Sequence, residues 1–197
     1  MRPRILLAAI AVAAGFVLVA TPGAQAGGAN NVVIANVTTD SQTTTRSELQ
    51  IAPFAGGAAD SSNLALATSA GCTGCSTTAV AVQAIFLTGD PSSVTPANVA
   101  AATNSGCTSC TAYAYAWQYV LSTDGPVHLS STGVQEVTTL RQEIAAAASS
   151  GLPPAELTST LDGLTARFKS VIDDELLRAG SPVTGHVVQH VDVSPSQ

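Results

Sequence analysis

The sequence predicts an α+β domain: a small sheet of about four strands with a C-terminal antiparallel helical hairpin packed against it. Three observations lead to this fold class. Residues 63–88 are repeated as residues 98–123, with 12 of 26 aligned positions identical. Each copy contains a Cys-x-x-Cys motif followed by a run of residues typical of a strand. Residues 131–179 instead place apolar side chains three and four positions apart, the spacing of helices.

Residues 1–26 have the pattern of a secretory signal peptide. Arg2 and Arg4 precede an apolar run at residues 5–20, and Ala24 and Ala26 form an A-x-A cleavage site. The apolar run is short for a membrane span of roughly 20 residues. We therefore expect a secreted protein without stable membrane insertion after cleavage.

The remaining chain has the length of one domain, which we place at residues 27–180, followed by a disordered tail at residues 181–197. Five basic side chains then face thirteen acidic ones. An acidic chain without a basic patch argues against nucleic acid as a partner.

The first element is a strand at residues 32–38, rich in β-branched side chains. Polar residues 40–45 form a turn, and residues 48–54 are the predicted hairpin partner. Each repeat then reads as a short helix, a left-handed capping glycine (Gly71 and Gly106), the Cys-x-x-Cys turn and a strand. The short helix covers residues 63–70 in the first copy and starts at Thr95 and Pro96 in the second.

The second repeat strand has two different faces. Alternating positions place alanines and Gln118 on one side and aromatic side chains on the other; the aromatic residues are Tyr113, Tyr115, Trp117 and Tyr119. One interpretation is a core that packs against the helices, with the alanines allowing another layer to approach closely. The other is an exposed platform for a glycan or peptide. Core packing is favoured, because aromatic stripes usually serve packing first.

Two helices follow. Val134, Val137, Ile144 and Ala148 predict a helix over residues 131–149. Pro153 and Pro154 start a second helix that runs to residue 179, with leucines and Phe168 in an apolar stripe. The short connection predicts an antiparallel hairpin.

The four cysteines, Cys72, Cys75, Cys107 and Cys110, allow three kinds of chemistry. They could hold zinc, act as redox pairs, or form structural disulfides. An oxidising exterior favours disulfides, and a preceding helix C-terminus would disfavour a reactive thiolate. Bridges within each motif, Cys72–Cys75 and Cys107–Cys110, are the predicted pairing. Bridges between the repeats stay possible if the two turns lie side by side.

The chain resembles an extracytoplasmic region of actinobacterial proteins called putative peptide zinc metalloproteases. The residues that carry the resemblance are the run 36–40 (NVTTD), the two motifs 72–75 and 107–110, and the alanines and glutamines that follow them. The membrane-embedded protease of those proteins has no counterpart here, since the HExxH motif is missing. The resemblance implies a free-standing, disulfide-bearing accessory domain.

No catalytic constellation and no cofactor are therefore expected. The predicted function is that of a non-catalytic, disulfide-stabilised binding module at the cell-envelope exterior, with a protein or cell-surface partner. The alternative is a thiol–disulfide oxidoreductase that uses the Cys-x-x-Cys motifs.

Overall fold

The computed structural model describes residues 29–55, 57–89, 91–178, 181–182 and 187–196, with side chains up to residue 177. The predicted signal peptide lies outside these residues. The strands are β1 (Asn31–Val37), β2 (Thr43–Ala55), β3 (Ala58–Ala70), β4 (Ser76–Thr88), β5 (Ser93–Ser105), β6 (Thr111–Thr123), β7 (His128–Leu129), β8 (Leu176–Arg178), β9 (Ser181–Pro182) and β10 (Val187–Ser196). The helices are α1 (Ser131–Ala148) and α2 (Pro154–Glu175).

The first six strands form a parallel β-solenoid of three stacked coils. Each coil contributes one strand to each of two sheets, so β1-β3-β5 is the first sheet and β2-β4-β6 lies in the second. Each strand pairs in parallel with its counterpart in the next coil. β10 adds an antiparallel strand beside β6, and β7, β8 and β9 form a small antiparallel sheet.

The predicted fold class, a small sheet of about four strands built from helix–strand repeats, is wrong, because the strands form stacked parallel sheets. Residues 63–70 lie in β3, and the segment that begins at Thr95 and Pro96 lies in β5, where we expected short helices. Their small residues alternate between inward and outward positions, and the inward ones fit a narrow space between two sheets. A short run of small residues has no strong preference, so tertiary packing decides its conformation.

The predicted N-terminal hairpin is also wrong. β1 and β2 belong to different sheets and together form the first coil. This coil is spaced 32 and 33 residues from the second, whereas the second and third coils are 35 residues apart. An alignment of the sequence with itself at an offset of 35 residues therefore does not detect the first coil, which has a different spacing and contains no cysteine.

Two cores of different character lie on opposite sides of the second sheet. Between the two sheets the side chains are mostly alanines, such as Ala65, Ala81 and Ala114. Between the second sheet and the helices the core is large and aromatic, and it includes Trp117 and Phe168. The predicted helical hairpin is confirmed, and α2 ends at Glu175, before the predicted residue 179.

A ladder of asparagines crosses the inter-sheet space. Asn31 donates a hydrogen bond to Asn63 Oδ1 at 2.9 Å, and Asn63 donates to Asn98 Oδ1 at 2.6 Å. Asn63 also donates to the carbonyl oxygens of Ala81 and Trp117 in the opposite sheet, each at 3.0 Å. The ladder thus joins all three coils and both sheets.

A second ladder consists of glutamines. Gln83 donates to Gln50 Oε1 at 2.7 Å, and Gln118 donates to Gln83 Oε1 at 2.8 Å. Buried amides require partners, and stacking identical residues supplies each amide with one from the neighbouring coil.

The outer face of the first sheet carries two apolar rows. Val32, Leu64 and Val99 are aligned across the three strands, and Ile34, Leu66 and Ala101 form the next row. Val32 and Ile34 are about half exposed. This face lies opposite the helix-covered side of the molecule.

The C-terminal region contains strands where we predicted a disordered tail. Residues 187–196 form β10, paired with β6 in the register Val187↔Leu121 to Ser196↔Ala112. Neither helix in the described part of the chain has the length and apolarity needed to cross a bilayer.

Candidate functional site

The four cysteines meet where the second and third coils pass from the first sheet to the second. We call them the cysteine cluster. The two turns are stacked, with a parallel bridge between Thr73 and Thr108. Thr108 N donates to Cys72 O at 3.1 Å, and Gly74 N donates to Thr108 O at 2.9 Å. Because equivalent residues of adjacent coils lie side by side, all four sulfur atoms fall within 4.8 Å of one another.

Left-handed backbone at two positions gives both turns the same shape. Gly71 and Gly106 each have φ of 62°, so the predicted left-handed conformation is correct. The context differs, because these glycines follow strands and do not cap helices. The second left-handed position is Gly74 in one turn and Ser109 in the next, with φ of 65° and 54°. A serine accepts this conformation at a modest energetic cost.

The first coil supplies a third turn below the other two. In this first turn Ser41, with φ of 57°, occupies the position that Gly74 occupies in the second turn. Asp40 Oδ1 accepts a hydrogen bond from Thr73 N at 2.8 Å, and Ser41 N donates to Thr73 O at 2.8 Å. Val37 packs beside the sulfurs. Asp40 and Ser41 fall in the predicted polar turn at residues 40–45, but no local pattern connects that turn with the cysteines.

The cluster contains one disulfide, between Cys72 and Cys75, as predicted. Cys107 and Cys110 are free thiols in this structure, so the second predicted bridge stays a prediction. The Cys110 sulfur lies 2.8 Å from the Cys75 sulfur, and the Cys72 sulfur lies 3.8 Å from that of Cys107. The two repeats therefore meet through their sulfurs, which is the arrangement that bridges between coils would need.

Exposure differs within the cluster. Cys72, Cys75 and Cys110 are buried, whereas Cys107 is partly exposed. Cys107 lines an open depression of about 580 Å³ together with Asn104, Gly106, Ser109, Cys110 and Thr111. A molecule arriving from solvent would therefore meet Cys107 first.

The aromatic stripe of β6 is buried under the helices. Trp117 is 1% exposed; its ring centroid lies 5.8 Å from that of Tyr119 and 5.7 Å from that of Phe168. This burial confirms the core interpretation of Tyr113, Tyr115, Trp117 and Tyr119. The alanines on the opposite face of β6 pack against the first sheet, as that interpretation requires.

Each tyrosine hydroxyl in the stripe has a partner on α2. Tyr113 shares a hydrogen bond with Thr158, and Tyr115 and Tyr119 donate to Asp162 and Asp173. Burial raises the pKa of all three tyrosines, and the acceptor carboxylates raise those of Tyr115 and Tyr119 further. The hydroxyls thus position the hairpin on the sheet.

Comparison with protein-family models, with curated proteins and with solved structures finds no match to this chain. The resemblance to the extracytoplasmic region of the metalloprotease proteins stays a prediction.

Proposed function

We propose that this protein is a non-catalytic, disulfide-stabilised module that is secreted and binds a protein or surface at the exterior of the cell envelope. The observation that carries the proposal is the position of the sulfurs. Three of them are buried in the stack of coil turns, and Cys75 N donates to Cys110 Sγ across the two coils. Cysteines placed in this way support the scaffold.

The aromatic side chains support the same proposal. The stripe on β6 packs against the helices, and its hydroxyl groups bind α2. The chain therefore uses its largest side chains to attach the hairpin to the solenoid. The result is a regular scaffold with a broad outer sheet face, an architecture typical of proteins that act by binding.

The test is a binding experiment with the mature chain, residues 27–197, immobilised and exposed to an envelope extract of the producing cells. We expect a component whose binding saturates, is competed by untagged protein, and is retained by Cys107→Ser. Ile34→Glu on the sheet face and Val134→Glu on α1 alter two exposed apolar positions of similar exposure. A partner lost with one variant and kept with the other locates the contact surface.

A second function is favoured by one contact. The free Cys110 thiol lies 2.8 Å from the Cys75 sulfur of the disulfide, which is a geometry for thiol–disulfide exchange. The Cys110 thiolate would attack Cys75, a Cys75–Cys110 bond would form, and Cys72 would leave as a thiolate. The partly exposed Cys107, as a thiolate, would attack an external disulfide, forming a mixed disulfide and releasing one external thiol. The freed Cys72 thiolate, 3.8 Å away, would then displace the second external thiol and form a Cys72–Cys107 bond.

Insulin reduction with dithiothreitol as electron donor distinguishes the two functions. A non-catalytic module leaves the uncatalysed rate unchanged. A clear acceleration that disappears in Cys107→Ser and remains in Ser105→Ala, an exposed neighbour, would replace our proposal with the oxidoreductase.

A further inference from the structure

The geometry of the cysteine cluster points to a metal site, in addition to the binding function proposed above. Tetrahedral zinc bound by four thiolates has Zn–S bonds of about 2.3 Å and therefore S···S separations of about 3.8 Å. Two separations in the cluster already have this value, 3.8 Å for Cys72–Cys107 and 3.9 Å for Cys72–Cys110. We propose that the cluster, once its disulfide is reduced, binds one Zn²⁺ through all four sulfurs.

The solenoid explains why four ligands converge. Each turn offers two sulfurs three positions apart, and strand pairing sets neighbouring coils about 4.8 Å apart. The two turns have the same backbone shape and are joined by the Thr73–Thr108 bridge. The first coil's turn carries Asp40 and Ser41 at this level and contributes no cysteine. The site therefore consists of one sulfur pair from each of two coils.

The surroundings also suit thiolates. Cys75 N donates to Cys110 Sγ at 3.2 Å, and backbone donors of this kind stabilise negative charge on a metal-bound sulfur. Two contacts must widen to about 3.8 Å, and both involve the Cys75 sulfur: its bond to Cys72 and its 2.8 Å contact with Cys110. Once the Cys72–Cys75 bond is reduced, a rotation of the Cys75 side chain can increase both distances.

The reaction balances with two reagents. An external dithiol supplies two electrons and two protons, which break the Cys72–Cys75 bond and leave two thiols, while the dithiol becomes a disulfide. Zn²⁺ then binds the four sulfurs and releases their four protons. Disulfide and metal are thus mutually exclusive states of the same four residues.

The test uses Co²⁺ as a spectroscopic substitute for Zn²⁺. The full mature chain is reduced with a phosphine, freed of reductant without oxygen, and titrated with Co²⁺ and then with Zn²⁺. We expect visible bands of tetrahedral Co²⁺ and sulfur-to-cobalt charge transfer, saturating at one ion per chain and abolished by stoichiometric Zn²⁺. The oxidised chain should show neither signal.

Two variants and one folding measurement make the result decisive. Cys107→Ser should lose at least tenfold in Zn²⁺ affinity and alter the Co²⁺ bands, whereas Ser105→Ala beside it should bind like the wild type. Trp117 emission reports whether the reduced chain is folded, since its ring is buried. The proposal is overturned if the reduced chain shows no tetrahedral Co²⁺, if Cys107→Ser binds equally well, or if metal fails to restore buried-Trp117 emission to a chain unfolded by reduction.

Discussion

At the scale of single residues, the buried amide of Asn63 makes hydrogen bonds to both sheets. It accepts from Asn31, and it donates to Asn98 and to backbone carbonyls of the second sheet. Each bond replaces one that the group would make to water, so its net contribution is modest. Removing the side chain, however, takes a hydrogen bond from each of several buried groups at once, so the losses add up.

We therefore predict that Asn63→Ala lowers the free energy of unfolding by more than about 2 kcal/mol, since several buried hydrogen bonds are lost together and each contributes about 0.5–1.5 kcal/mol. Urea unfolding monitored by Trp117 emission measures the loss. The matched control is Asn36→Ala, on the exposed face of β1, which should change stability by less than about 0.5 kcal/mol. Equal effects of the two variants would contradict a structural role for the ladder.

The tyrosine hydroxyls of the aromatic stripe predict a dependence of stability on alkaline pH. Burial raises the pKa of Tyr115 and Tyr119 in the folded state, whereas in the unfolded chain it is about 10. Below about pH 10 both states keep these protons, so the groups add no pH dependence. Above it only the unfolded state loses them, and the free energy of unfolding falls as pH rises.

The expected slope is about 1.4 kcal/mol per pH unit for each tyrosine that stays protonated in the folded state. Urea unfolding at a series of pH values above 10 measures it. Tyr119→Phe removes one hydroxyl and should reduce the slope by about 1.4 kcal/mol per pH unit. An unaltered slope in this variant would show that Tyr119 does not contribute.

At the scale of elements, the contact of α1 with the end of α2 depends on a glycine. Gly133 lies in the first turn of α1, and its N–H donates to the N-cap Ser130. A Cβ built at Gly133 would lie 2.7 Å from Glu175 Cβ and 3.4 Å from Leu129 Cβ. Glu175 in turn accepts a hydrogen bond from Ser130 Oγ. The close approach of the two helices therefore requires the absence of a side chain.

We predict that Gly133→Ala destabilises the protein by about 1–3 kcal/mol, the typical cost of overpacking. This loss outweighs the higher helix propensity of alanine compared with glycine. Gly163→Ala in α2 is the matched control, because nothing lies within 4 Å of its built Cβ. This second variant should stabilise the protein by about 0.5–1 kcal/mol. Thermal unfolding of both variants measures the sign of each change in stability. A change of the same sign in both would contradict the proposed contact.

At the scale of the whole molecule, stability comes from the stacking of coils, because each coil contacts mainly its neighbours. The cysteine cluster lies between the second and third coils. Which of its cysteines form disulfides therefore determines whether the two coils are covalently joined. The Cys72–Cys75 bridge closes a loop with a sequence separation of 3. In the chain-entropy model such a loop contributes about 2 kcal/mol, whereas a bridge between coils would contribute about 4 kcal/mol.

Reduction should therefore lower the free energy of unfolding by about 2 kcal/mol for each bridge within a turn. Urea unfolding with and without a phosphine measures the difference, and peptide mapping without reduction identifies the pairs. We expect Cys72–Cys75, and Cys107–Cys110 as the second bridge after oxidation. A chain with all four cysteines replaced by alanine should not respond to the reductant. Linked peptides from the two repeats would show pairing between coils.

Local patterns in the sequence were enough to predict several features. The duplication is visible as direct sequence identity, and the Cys72–Cys75 disulfide and the left-handed Gly71 and Gly106 follow from nearby residues. The helical hairpin follows from periodicity, and burial of the aromatic stripe follows from alternation and composition. These features depend on short-range geometry and on the preference of large apolar side chains for the interior.

Only the tertiary structure decided the rest. β3 and β5 are strands because their alanines fit between two closely packed sheets, a space that exists only when the coils are stacked. The asparagine ladder, the first coil and the meeting of four sulfurs arise from pairs 32 to 38 residues apart. Small side chains have weak local preferences, so contacts between distant residues determine their conformation and bring the cysteine cluster together.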